Sequence, residues 1–105
     1  MTRVALYARY SSDAQRDASI EDQLRLCRTH AERQGWTVTL CYTDRAMSGA
    51  TLLRPGIQEL MQDAQRAGFE LVLAEALDRI SRDQEDVAAV FKRLRFAGVD
   101  IVTLA

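Results

Sequence analysis

Apolar residues along this chain fall into short runs and helical stripes that alternate from one end to the other. Val4 to Ala8 form an unbroken apolar run of strand length, and polar residues begin where that strand should end. Ser19-Ile20-Glu21-Asp22 fits an N-cap followed three residues later by an acid, so a helix is expected to start there. Ile20, Leu24, Cys27 and Ala31 recur at helical spacing, and Gly35 closes that helix. Trp36, Val38, Leu40 and Tyr42 alternate as a second strand, followed by a loop from Asp44 through Gly49 that stays irregular to about Leu53. Pro55 suits the first turn of a second helix, whose stripe is Ile57, Leu60, Met61 and Ala64, with Gly68 ending it. Leu71 to Ala74 read as a third strand, apolar on both faces as in a covered parallel sheet. Ala76 to Arg82 interrupt the pattern with charge. Asp83 then caps a last helix carrying Val87, Val90, Phe91 and Leu94, Gly98 ends it, and Val99 to Leu104 form a fourth strand.

Strands alternating with helices imply parallel strands joined by right-handed crossovers: a three-layer α/β sandwich with a mainly parallel sheet of about four strands. Ligands of such sheets bind outside the carboxyl ends of the strands. The segments Arg9–Ser11, Asp44–Gly49 and Asp78–Arg82 follow the first, second and third strands, so all three are expected to meet at one edge.

Composition narrows the chemistry. A chain of 105 residues is one domain, and one Pro and five Gly do not describe a linker. No run approaches the roughly 20 apolar residues of a membrane span, and no signal peptide precedes Arg3, so a cytoplasmic location away from membranes is expected. Cys27 and Cys41 lack metal-ligand spacing and read as core thiols in a reducing compartment. His30 is the sole histidine, which argues against a serine–histidine hydrolase or a His-rich metal site and leaves it on a helix flank. The formal net charge of −1 is low for a domain that grips nucleic acid unaided. Polyanion chemistry must therefore use a local arginine cluster or borrow affinity from elsewhere.

Such a cluster exists. Side chains alternate along a strand, so Tyr7, Arg9 and Ser11 should project to one side together. By themselves Ser11, Ser12 and Asp13 would make an ordinary hydrogen-bonded turn. In the segment from Leu77 to Asp83, Arg79 and Arg82 lie three apart, and Asp78 precedes Arg82 by four. Alone that is a salt-bridged helix start of little energetic weight. Arg54 precedes Pro55 at a helix N-terminus, where backbone N–H groups already favour an anion. Taken together, a serine hydroxyl and several arginine forks suit displacement at a phosphodiester, whose equatorial oxygens gather charge in the transition state. Neither a Walker glycine–lysine loop nor a dinucleotide fingerprint is present in the sequence.

These residues, in this order, resemble the catalytic domain of the serine recombinases, the resolvase/invertase and large serine integrase family. The resemblance is carried by Tyr7-Ala8-Arg9-x-Ser11, Gln15, Ser19-Ile20-x-x-Gln23, Asp44 with Ser48-Gly49, Arg54-Pro55 and Leu77-Asp78-Arg79-x-x-Arg82-Asp83. Ser19 to Gln23 and Arg54-Pro55 look more like the large integrases and related transposases than like small resolvases. The resemblance implies that Ser11 is a nucleophile forming a covalent 5′-phosphoserine link to DNA and freeing a 3′-hydroxyl. Arg9, Arg79 and Arg82 would activate the scissile phosphate, and Arg54 would add a contact to it. Gln15 and Gln23 would orient the nucleophile loop, while Tyr7, Asp44 and Asp78 would shape the site. It further implies double-stranded DNA as partner, a homo-oligomer (dimer or tetramer) in the full-length form, and neither metal nor other cofactor. On this reading residues 1–105 are an N-terminal catalytic domain without the oligomerisation helix and DNA-binding domains that follow in the family. Two other readings stand beside it: a non-catalytic α/β interaction or receiver-like module, and a phosphohydrolase using Ser11. A receiver needs clustered acids at the first strand end, where this chain presents arginine and serine. One departure is Glu75-Ala76, which stands where small resolvases carry a basic residue.

Overall fold

The first apolar run is strand β1 (Arg3–Arg9), and it lies in the interior of the sheet. A computed structural model describes residues 2–10, 17–45, 54–66 and 68–105. After β1 come helix α1 (Asp17–Gln34), strand β2 (Thr37–Asp44), helix α2 (Pro55–Ala64), strand β3 (Leu71–Ala74), a single helical turn α3 (Leu77–Ile80), helix α4 (Gln84–Phe96) and strand β4 (Asp100–Thr103). The strands run parallel in the order β2-β1-β3-β4. This is the expected three-layer sandwich. Val4, Leu6 and Ala8 pack with Ile20, Leu24, Cys27 and Ala31 of α1 on one face. Ala5 and Tyr7 pack with Ile57 and Leu60 of α2 and Val90 and Leu94 of α4 on the other. Chain order therefore reverses between β1 and β3, and the crevice of an open α/β sheet forms at that reversal.

Strand β2 departs from the alternation expected of it. Val38 pairs with Val4, but Leu40 pairs with the next residue, Ala5, so Thr39 is an extra residue bulged from the ladder. A one-residue slip moves every later side chain to the opposite face. Trp36 and Val38 consequently pack on the α1 side, Tyr42 packs on the α2 side, and Leu40 is left 39% exposed. The bulge matters for function because it also turns Asp44 towards Tyr7 and α2.

Other local expectations are corrected by their surroundings. Helix α1 starts at Asp17, two residues before the anticipated cap. Ser19 lies inside the helix, where its Oγ accepts from Nε2 of Gln23 at 3.2 Å. Cys41 is exposed because it lies on edge strand β2; only Cys27 is buried, and burial pushes its thiol up to about 11. Helix α2 ends at Ala64, before Gly68. Gly35 and Gly98 have φ of 74° and 77°, the left-handed conformation that ends α1 and α4 as expected. Asp83 caps α4, accepting from the Glu85 N–H at 2.8 Å.

The N-terminus of α2 is fastened from a distance. Arg54, its capping residue, makes no side-chain cap. Instead the Asp44 carboxylate accepts from the N–H groups of Gly56 (2.8 Å) and Ile57 (3.0 Å). So close a docking excludes a side chain at position 56: a Cβ there would lie 2.5 Å from the Thr43 carbonyl oxygen and 2.9 Å from Asp44 Oδ2. In an open helix, alanine gains about 1 kcal/mol over glycine. Here Gly56→Ala should instead lose about 2–4 kcal/mol, through overlap with backbone and breakage of the Asp44 bonds. Urea denaturation measures it, and a midpoint equal to or above wild type would contradict this packing.

Candidate functional site

Strands β1 and β3 pair from Val4 to Leu6 and then part company, while β1 continues beside β2 to Arg9 and Asp44. The gap so opened at the carboxyl edge is filled by arginines. Alternation along β1 sends Tyr7 and Arg9 to the side of α2 and α3. The Arg9 side chain is only 1% exposed. Its Nε donates to the Arg79 carbonyl at 3.0 Å, and its Nη2 donates to the Asp78 carbonyl at 2.5 Å. Arg54, equally buried, donates to the Tyr7 hydroxyl at 2.9 Å, to the Arg79 carbonyl at 3.3 Å and to the Ile80 carbonyl. Two guanidinium groups thus collect the carbonyls of α3, a turn too short to satisfy them within itself.

Tyr7 and Asp44 lock this assembly to the sheet. The Tyr7 hydroxyl donates to Asp44 Oδ2 at 2.7 Å while accepting from Arg54, whose guanidinium carbon lies 5.8 Å from the ring centre. Burial, reinforced by the Asp44 bond, raises the phenol far above its ordinary pKa, so it remains a donor. From the opposite face, Gln23 of α1 fixes the strand end. Its Oε1 accepts from the Arg9 N–H at 3.2 Å, and its Nε2 donates to the Arg9 carbonyl at 3.1 Å. The backbone leading towards Ser11 is therefore gripped on both faces of the sheet.

Arg79 is less deeply buried. Its Nε and Nη2 donate to Glu75 Oε1 at 3.3 and 3.1 Å, and its Nη1 donates to the Arg9 carbonyl at 3.3 Å. Arg82 and Asp78 are exposed. Burial lowers the Arg9 pKa, and the charges of Arg54, Arg82 and Arg79 lower it further. The four cations thus share one electrostatic neighbourhood, where an anion is favoured.

The structure brings together Tyr7, Arg9, Gln23, Asp44, Arg54, Asp78, Arg79 and Arg82 around the end of β1. Ser11 and Gln15, with Ser48 and Gly49, lie outside the described residues. Arg9 and Arg54 spend donors on α3 carbonyls here, which ties both guanidinium groups to that turn. Sequence reasoning missed two participants. Glu75 was visible only as a departure, although its i,i+4 spacing to Arg79 is an ion-pair signal. Ser81, buried, accepts from the Asp83 N–H at 3.1 Å and has no motif to mark it. Among the described residues no group of three His, Cys, Asp or Glu side chains is placed to hold a metal ion, and no helix is long and apolar enough to cross a membrane.

Comparison with known proteins agrees with this fold. Residues 4–105 match the family described as "Resolvase, N terminal domain". The crystal structure of the N-terminal catalytic domain of TP901-1 integrase is 35% identical, with a TM-score of 0.89 over 97% of this chain and 76% of that one. The C-terminal catalytic domain of ISC1926 TnpA, an IS607-like serine recombinase, is 25% identical, with a TM-score of 0.88 over 97% of this chain and 70% of that one. A "Putative DNA recombinase" of Bacillus subtilis (strain 168) is 28% identical over 101 residues, which is 94% of this chain and 20% of that protein. The chain thus spans about a fifth of the length of the curated relative it matches.

Proposed function

Because this chain belongs to the resolvase N-terminal domain family, we propose that it is the catalytic core of a site-specific DNA recombinase with Ser11 as its nucleophile. In the cleavage step the Ser11 Oγ–P bond forms as the P–O3′ bond breaks. The serine proton is lost and the departing 3′ oxygen gains one, leaving a 5′-phosphoserine and a 3′-hydroxyl. Rejoining is the reverse with a new 3′-hydroxyl. One phosphodiester is exchanged for another, so no nucleotide is consumed. The observation that carries the reading is the convergence of Arg9, Arg54 and Arg79 at the strand end from which Ser11 follows, with the charge of Arg82 felt at Arg9.

Roles divide by burial. Arg79 and Arg82, the less enclosed cations, meet the phosphate oxygens. Arg9 and Arg54 supply positive potential and hold α3 in place. Gln23 and Gln15 orient the segment bearing Ser11, while Tyr7 and Asp44 brace it and Asp78 borders it. Double-stranded DNA is the substrate, and full-length proteins of this type act as homo-oligomers, with a tetramer needed to exchange two duplexes. A net charge of −1 leaves duplex affinity to segments other than this domain.

A denaturing gel with the full-length protein and a nicked recombination-site duplex tests the reaction type. A recombinase leaves a detergent-stable adduct on the DNA 5′ end and a 3′-hydroxyl that a polymerase extends. A phosphohydrolase turns its adduct over to water and leaves none, which would overturn the reading.

A further inference from the structure

Glu75 follows the last residue of β3 and precedes α3, and its backbone is fixed there: the Ala105 N–H donates to its carbonyl at 3.1 Å. From this anchored position its Oε1 takes both the Nε and Nη2 donors of Arg79. The Arg9 carbonyl takes one from Nη1. A guanidinium carries five N–H groups, so these bonds define its plane and, among the described residues, leave two donors over. The pair is half-enclosed, at 20% exposure for the Arg79 side chain and 30% for that of Glu75, so its geometry is set by more than solvent. The other cations nearby are Arg9, Arg54 and Arg82. Repulsion from these would swing an unpaired Arg79 away from the strand end.

We propose that Glu75 is the positioning residue for Arg79, fixing its fork at the β1 edge while holding down the site's affinity for a resting anion. Both consequences come from one carboxylate. A fork held before the substrate arrives needs no reorganisation when charge develops on the phosphate. A negative charge beside it weakens ground-state anion binding, so the cluster does not become a trap for phosphate. The inference rests on the recombinase reading for its purpose, but the arrangement of Glu75 and Arg79 can be judged without it.

The test is nitrogen-15 NMR of arginine side chains on this chain, with inorganic phosphate as the probe at low ionic strength. In wild type, Arg79 should show slow rotation about Nε–Cζ, seen as two resolved Nη resonances. In Glu75→Ala these should merge, while the Arg9 and Arg54 side-chain signals stay dispersed as evidence of folding. Glu75→Gln keeps an acceptor and removes the charge, so it should bind phosphate about 3–10-fold more tightly than wild type. Merged Arg79 resonances in wild type, or resolved ones persisting in Glu75→Ala, would overturn the proposal. Should Glu75→Ala fail to fold, the Glu75→Gln titration decides: unchanged or weaker phosphate binding also overturns it. If phosphate shifts none of Arg9, Arg79 and Arg82, the recombinase reading loses its anion site, and the rotation measurement alone judges Glu75.

Discussion

Ser11→Ala in the full-length protein should form no covalent DNA adduct and should bind its duplex within about twofold of wild type. The hydroxyl supplies the bond-forming oxygen. Removing the nucleophile from a preorganised site costs about 10⁴-fold or more in rate, because the remaining groups act as a unit with it. Affinity depends on phosphate contacts spread along the DNA, and a hydroxyl contributes no ionic contact to that sum. An adduct at wild-type rate from Ser11→Ala would remove Ser11 from the mechanism. Loss of binding instead of chemistry would mean that the residue holds the fold or the DNA.

Arg79→Ala should slow cleavage by about 10²–10³, the effect of deleting one preorganised donor from a charge-stabilising site. The geometry says why this arginine is exposed to so large a loss. It lies where β1 and β3 diverge, bonded to the Arg9 carbonyl and to Glu75, with two N–H groups uncommitted among the described residues. Arg79→Lys keeps the charge but loses the fork, so it should recover only part of the rate. Both variants should fold, since Arg79 is partly exposed and its backbone carbonyl, which Arg9 and Arg54 use, is retained. Single-turnover cleavage of a nicked duplex measures the loss; rates within about twofold of wild type would place the phosphate elsewhere.

Much of the fold is visible in side-chain periodicity, because α1 is amphipathic and Val4 to Ala8 of β1 are wholly apolar. Ile20, Leu24, Cys27 and Ala31 give one buried stripe, and Val4 to Ala8 one fully enclosed strand. The caps at Gly35, Asp83 and Gly98 are local too, so local residues reveal them. What the sequence conceals is long-range. The bulge at Thr39 is a property of β1 and β2 together, and no residue type announces it. Without it Asp44 would face α1, away from the groups it joins. The caps also mislead at α1, where Ser19 bonds sideways to Gln23 and the helix starts earlier.

The site was legible as a set of residue types and less so as a set of roles. Arg9 and Arg79 meet at the carboxyl edge of the sheet, where ligands of parallel sheets bind, and Ser11 lies outside the described residues. Yet sequence treats an arginine as a surface charge. Arg9 and Arg54 are instead buried and spend donors on α3 carbonyls, which depends on the shortness of that turn. Asp44 reads as a polar loop residue and proves to cap a helix that starts eleven residues later.

The most direct test of the account is to locate the DNA linkage by mass spectrometry. The full-length protein would be trapped on a nicked duplex, the adduct digested with protease and nuclease, and the peptide spanning residues 9–16 fragmented. The account predicts a nucleotide phosphate on Ser11, with its neighbour Ser12 unmodified. A linkage to Ser12, to another side chain, or a 5′-phosphate end with no peptide attached would contradict it.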